Sequence, residues 1–347
     1  MKKEILGYTK ENQEIIAYTL KGKGGLTARV MNYGCNLLNL WVLDKTGNCR
    51  DVVLGYEHIE DYLENEPGFG CCITPCCNRI GGASYTLNGV RYFCDKNDGE
   101  NNLHSGFYPM HHRIWDVAAY QEESITFLAH KTDGDMGFPG ELDIRITYTI
   151  GADNSIQLEY WGISDRDTVF NPTNHSYFNL AGAGSGSVLD EIAWLDGDYV
   201  TEAGEDAVPT GKLLPVKGTS LDFTVAKPLS EGIADYGKRP IRTGEGINHN
   251  YVLKKRDISR SVAKLYEPGN GLTMEVYTDM PGIQLYTANY LSAGDIGKGG
   301  ISYGQFAGVC FESQFFPNAI NIPAFEQPVL KAGRVGRSVT IYKFTVA

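Results

Sequence analysis

The chain has 347 residues, 42% hydrophobic and 21% charged, the balance of an ordinary globular protein with enough apolar side chains for a substantial core. Its 31 basic and 42 acidic residues leave a formal charge of −11, which disfavours nucleic acid and anionic lipid as partners and suits a neutral substrate. No stretch stays apolar for the roughly 20 residues of a membrane helix.

The chain opens Met1-Lys2-Lys3-Glu4, but Gly7 to Glu14 is polar. The apolar core of an export signal is therefore missing, and the expected location is cytoplasmic. In that reducing setting the eight cysteines are expected as thiols, and Asn174-His175-Ser176 fits the glycosylation pattern without consequence. Cys71-Cys72-Ile73-Thr74-Pro75-Cys76-Cys77 places thiolate ligands at the short spacing that zinc and iron-sulfur sites use. Adjacent cysteines on a strand point to opposite faces, however, and free cysteine is among the most buried residue types. Packing is the expected role, and neither a metal nor a cofactor is expected. His111-His112 is read the same way, as diverging neighbours in a loop.

The recurring period is two. Tyr85-Thr86-Leu87 and Val90-Arg91-Tyr92 flank Asn88-Gly89, the pair that supplies the positive φ angles of a tight hairpin. Leu142 to Ile150 alternates apolar and polar residues as a half-buried strand does, and Ile156 to Tyr160, Leu272 to Tyr277 and Val339 to Phe344 repeat the pattern. No long segment shows amphipathic helical spacing, and 41 glycines punctuate the chain. The expected class is all-β, with many antiparallel strands in packed sheets. Gly182 to Gly186 is a plain loop; with neither a linker nor a repeat in sight, residues 1–347 are expected to form a single domain. No phosphate-binding G-x-x-x-x-G-K-[ST] and no H-E-x-x-H occurs.

Four segments place ionisable or amide side chains beside strand-like sequence: Asn78-Arg79-Ile80, Asn101-Asn102-Leu103-His104, Asn171 to Leu180, and Phe311-Glu312-Ser313-Gln314. Arg79 alone reads as a surface or ion-paired arginine, and His104 alone as a turn residue. Glu312 is less easily dismissed, because a carboxylate following Gly308-Val309-Cys310-Phe311 costs several kcal/mol to bury unpaired.

In this order and spacing the segments resemble the aldose 1-epimerases, or galactose mutarotases, from about Asn32-Tyr33-Gly34 to the C-terminal strand. The most specific piece, Asn171-Pro172-Thr173-Asn174-His175-Ser176-Tyr177-Phe178-Asn179-Leu180, reads like the family signature N-x-T-x-H-x-Y-F-N-L, and Pro281 to Asn289 adds a further match. The resemblance implies a large antiparallel β-sandwich with one sugar cleft and a cofactor-free interconversion of the α and β anomers of a free aldose. It implies Glu312 as general base at the anomeric hydroxyl, His175 as acid at the ring oxygen, and His104 assisting there. Asn78, Arg79, Gln284 and Asn248 are implied as sugar-binding residues. A carboxylate and an imidazolium suffice for ring opening, and ordinary pKa values near 4.3 and 6.5 leave the glutamate ionised and part of the histidine protonated at neutrality. The expected partner is a small-molecule sugar, with the chain a monomer or homodimer.

The sequence departs from the family pattern at three places. Asn248 stands where a substrate-binding aspartate is usual, Thr74-Pro75 where Gly-Arg is common, and Phe315 where a histidine is common. These bear on which sugar is preferred. An epimerase of hexose phosphates would need several cationic groups in its cleft, and Arg79 is the obvious one. A sugar-binding protein without catalysis would have no need of His104, His175 and Glu312 together.

Overall fold

The computed structural model describes residues 2–234 and 246–346. Along the strand Leu142–Ile150 every second side chain is buried and those between are at least partly exposed, the burial that its alternating sequence dictates. This strand belongs to a nine-stranded antiparallel sheet. The C-terminal strand Val335–Val346 lies at its centre, hydrogen-bonded to Ser155–Ser164 on one side and Leu272–Thr278 on the other. The hairpin Ser84–Leu87/Val90–Phe93 turns through Asn88 and Gly89 with φ of 51° and 79°, as Asn-Gly predicts. A five-stranded sheet forms the N-terminal part, from Lys2–Tyr8 to Cys49–Asp51. Among the described residues the α-helices are the short Ile59–Tyr62 and Leu229–Ile233, and no helix is long and apolar enough to cross a membrane.

A six-stranded sheet positions the site. Its order is Tyr177–Phe178, Val309–Gln314, Gly282–Tyr286, Asn248–Leu253, Gly197–Ala203 and Pro209–Pro215. One face presents Phe178, Val309, Phe311, Ile283 and Leu285 to the main core, where Phe178 packs on Tyr342 of the nine-stranded sheet at 4.8 Å between ring centres. The Tyr342 hydroxyl also donates to the Phe311 carbonyl at 2.9 Å. Truncating Phe311 to alanine would cost about 3–5 kcal/mol by the usual scale for a buried aromatic.

Side chains alternate between faces along a strand, so Cys310, Glu312 and Gln314 project from the other side. Registry adds their neighbours to that face: Tyr177 and Tyr286 stand opposite Cys310, Gln284 opposite Glu312, and Asn248 opposite Tyr286. The sheet is therefore largely apolar toward the core, while its other face carries Glu312, Gln314, Gln284 and Asn248 beside the apolar Cys310, Tyr177 and Tyr286. All six residues of Val309–Gln314 are nevertheless buried, because other segments close over the polar face.

Candidate active site

His104 is set by a local exchange of hydrogen bonds. Arg79–Ile80 pairs with Asn102–Leu103, and at the adjoining turn His104 N–H donates to the Asn78 carbonyl at 3.2 Å while Asn78 N–H donates to His104 Nδ1 at 3.1 Å. Both residues have positive φ, 52° at His104 and 58° at Asn78. A nitrogen that accepts carries no proton, so neutral His104 holds its proton on Nε2. Arg79 is tied to Asp98, Nε to carboxylate, at 2.7 Å.

His175 is held by its neighbours. Thr173–Asn174 pairs with Cys72–Ile73, and His175 N–H donates to the Cys71 carbonyl at 2.9 Å. The asparagines of this segment bind backbone. Asn174 Nδ2 donates to the Gly70 carbonyl at 3.0 Å, Asn171 accepts from Phe315 N–H at 2.8 Å, and Asn179 Nδ2 donates to the carbonyls of Gly186 and Ala307 at 2.9 Å each. The signature thus builds the wall from which His175 projects.

The two segments meet the polar sheet face in a cavity of about 730 Å³, lined among others by Asn78, Arg79, His104, His175, Asn248 and Glu312. Gln284 is one step removed. It lines a small adjoining recess with Asn78, Arg79 and Asn248, and its Nε2 donates to Asn248 Oδ1 at 2.6 Å. Asn248 itself begins a strand. Phe315 lines a different cavity, and neither Thr74 nor Pro75 lines the one that holds Glu312. Of the three departures, only Asn248 faces this cavity.

Two groups of lining residues were not anticipated. His111 and His112, read from the sequence as diverging, lie in the 3-10 turn Met110–His112 with rings 4.7 Å apart, and both line the cavity. Toward the mouth stand Phe107 and Tyr290 with Glu64, Glu66 and Asp295. None of these stands out by periodicity or motif; only the fold brings them together.

Glu312 Oε1 lies 3.7 Å from His175 Nε2, and the two residues are 2% and 7% exposed. Glu312 Oε2 is buried with no hydrogen-bond partner among the described residues. Burial pushes the Glu312 carboxyl up to about 8, against a smaller lowering by Arg79, and pushes His175 down to about 4. His104 is held well below the ordinary range, first by burial and then by His175. Burial therefore works against the ion pair expected from ordinary pKa values and favours the neutral pair, a protonated carboxyl beside a neutral imidazole.

All eight cysteines are free. Cys72 and Cys76 pack into the main core while Cys71 and Cys77 lie with Ile73 in a separate cluster, so the members of each adjacent pair face opposite ways. Among the described residues, the ligand atoms close enough to share an ion are instead those of His104, His175 and Glu312, within 4.8 Å of one another. His104 fits that role poorly, because its free edge is the protonated Nε2.

The sequence profile described as aldose 1-epimerase matches residues 17–343. The chain belongs to the aldose 1-epimerase family. It is 34% identical to the galactose mutarotase of Sus scrofa over 322 residues, 93% of this chain and 92% of that protein. It is 32% identical to the aldose 1-epimerase of Haemophilus influenzae over 329 residues, 94% of each. Among solved structures, an aldose epimerase homologue from C. elegans superposes with a TM-score of 0.88 at 26% identity, covering 95% of this chain and 99% of that one. As an aldose 1-epimerase, the chain is an isomerase acting on carbohydrates, and its large antiparallel sheets form the galactose mutarotase fold.

Proposed function

We propose that the cavity above Glu312 binds a free aldose and that Glu312 and His175 carry out its anomeric interconversion. Ring opening needs one proton removed from the anomeric hydroxyl and one delivered to the ring oxygen, two atoms bonded to the same carbon. Glu312 takes the first and His175 gives the second. The C1–O5 bond then breaks, the aldehyde rotates, and closure on the opposite face returns both protons. His104 presents Nε2–H to the ring oxygen, where a neutral donor stabilises developing charge without a net proton transfer.

The observation that carries this reading is the 3.7 Å approach of Glu312 Oε1 to His175 Nε2 in the wall of the cavity. Burying a carboxyl is costly, and a sugar hydroxyl that donates to it offsets the cost. That hydrogen bond favours the ionised carboxylate, so binding drives the shared proton from Glu312 to His175 and creates the productive arrangement.

Asn78, Arg79 and Asn248 contact sugar hydroxyls in this reading, and Gln284 orients Asn248. Tyr286, in the cavity wall, offers an apolar surface to a sugar face. Galactose is the first sugar to try, given the name of the Sus scrofa relative. The lining does not suit a sugar phosphate: Arg79 is neutralised by Asp98, while Glu64, Glu66 and Asp295 are acidic. We read residues 1–347 as one domain, since the last strand completes a sheet between two earlier segments. A cytoplasmic setting suits the eight free thiols.

Polarimetry or NMR of anomer exchange over free and phosphorylated aldoses tests the reading. Acceleration with free hexoses and none with their 6-phosphates is expected. Acceleration confined to the phosphates would overturn the substrate assignment, and binding without acceleration the catalytic one.

A further inference from the structure

We propose that Cys310 is a positioning residue for the proton transfer, holding the Nδ1 edge of His175 so that Nε2 is the nitrogen turned toward Glu312 and the sugar. The inference rests on the roles given above to Glu312 and His175. Cys310 and Glu312 are two apart on the strand Val309–Gln314 and share one face. They reach opposite edges of the same ring: Cys310 Sγ lies 3.7 Å from His175 Nδ1, and Glu312 Oε1 lies 3.7 Å from Nε2. One pair of alternate residues therefore brackets the imidazole.

The contact discriminates between ring orientations. Turning the imidazole over would place carbon-bound hydrogens against both the sulfur and the carboxyl, and both contacts would be lost. It also serves both protonation states. In the imidazolium each nitrogen carries a proton, so Nδ1–H must donate and Sγ must accept. Keeping that Nδ1 proton in the neutral ring leaves the Nε2 lone pair ready for the proton that Glu312 releases. Cys310 is fully buried, and burial followed by the nearby Glu312 holds its thiol well above the ordinary range, so it acts as a neutral acceptor throughout.

The surroundings leave the thiol little alternative. Tyr177 and Tyr286 stand on either side of Cys310 in the sheet, and their rings pack against His175 at 5.0 and 6.1 Å. The backbone of His175 is fixed through the Cys71 carbonyl. What remains to be set is the turn of the ring, and Cys310 sets it.

The test combines spectroscopy on the unaltered protein with two variants. Nitrogen-15 NMR at neutral pH, with the His175 signals assigned by their loss in His175→Asn, is expected to show the proton on Nδ1. Kinetically, Cys310→Ala is expected to lower kcat about five- to tenfold, the scale of one lost hydrogen bond, with KM within about twofold. Cys310→Ser, whose hydroxyl can accept from Nδ1–H, should recover most of that loss. A His175 ring protonated on Nε2 while His175→Asn is inactive overturns the inference alone. Equal losses in the alanine and serine variants, or an unchanged kcat in Cys310→Ala, do the same. Activity retained by His175→Asn overturns the acid assignment beneath it.

Discussion

Glu312 Oε1 and His175 Nε2 approach to 3.7 Å in a setting that reverses their usual order of ionisation, with the carboxyl raised to about 8 and the imidazole lowered to about 4. Below about pH 4 both groups hold a proton and no base remains; above about pH 8 neither does and no acid remains. In between, the pair holds the single proton that the reaction needs. A plot of kcat/KM against pH, which reports the free enzyme, is expected to be bell-shaped with limbs near those values. Polarimetry corrected for spontaneous mutarotation measures it. A profile flat from pH 5 through 9.5 contradicts a shared proton.

Replacing Glu312 by glutamine keeps the shape and removes the proton acceptor. Turnover is expected to vanish into the uncatalysed rate while sugar binding stays within about tenfold. His175→Asn should lower turnover by a factor on the order of 10² or more, the usual loss for a general acid. Both variants are read by anomer exchange for rate and by titration for affinity. Near-normal turnover in Glu312→Gln would remove it as the base.

What was legible in the sequence follows from where burial is one-sided. Leu142–Ile150 shows clean alternation because one face meets the core and the other meets solvent. Val309–Gln314 does not advertise its faces, because the polar side is covered too; Glu312 stood out only as a charge in an apolar run. His175, His104 and Asn78 were legible through motif spacing, and the structure brings them together. The shift of both groups toward their neutral forms was not, since it depends on burial that arises only when segments far apart in the chain close around the pair. Nor was the intermediary place of Gln284, which follows from strand order. His111 and His112 lie between strands as expected, but a 3-10 turn holds their rings 4.7 Å apart where divergence is expected.

A buried carboxyl outside the site makes a separate prediction about stability. Glu191 is 1% exposed, with one oxygen accepting from Leu180 N–H at 2.8 Å and the other without a partner among the described residues. Burial pushes it up to about 8 from 4.5, against lowering by the Leu180 amide. A raised folded-state pKa gives stability that is full below about 4.5 and is lost as pH rises toward 8, since only the folded state still holds the proton there. The loss is on the order of a few kcal/mol. Glu191→Gln is expected to abolish this component, so that denaturant unfolding at pH 5 and 8.5 shows a smaller difference than in the parent. An identical pH dependence in the two proteins would sink it.

Activity is expected to survive exhaustive chelation. The three candidate ligand atoms are near enough to share an ion, but His104 Nδ1 is occupied by Asn78 N–H and its Nε2 is protonated. Binding a cation there would require the tautomer that the Asn78 amide opposes. The measurement is anomer exchange before and after dialysis against chelator. Loss of activity that zinc restores would overturn this reading.

The final prediction concerns Asn248, the departure that faces the cavity. Its Oδ1 accepts from Gln284 Nε2 at 2.6 Å, and it lies on the strand next to Gly282–Tyr286, which separates it from Glu312. It should therefore govern affinity more than chemistry. An aspartate at 248 keeps the acceptor for Gln284 and offers a sugar hydroxyl a charged oxygen in place of an amide nitrogen. Charge-assisted hydrogen bonds are roughly twice as strong as neutral ones, so Asn248→Asp is expected to tighten galactose or glucose by about 1 kcal/mol, roughly fivefold, with turnover little changed. Calorimetric titration with each sugar, paired with kcat from polarimetry, measures both. If every hexose tested binds more weakly instead, the amide donor is what this cleft uses, and its aldose carries an acceptor at that position. Unchanged affinity for all of them would take Asn248 out of the sugar site and leave it as a partner of Gln284.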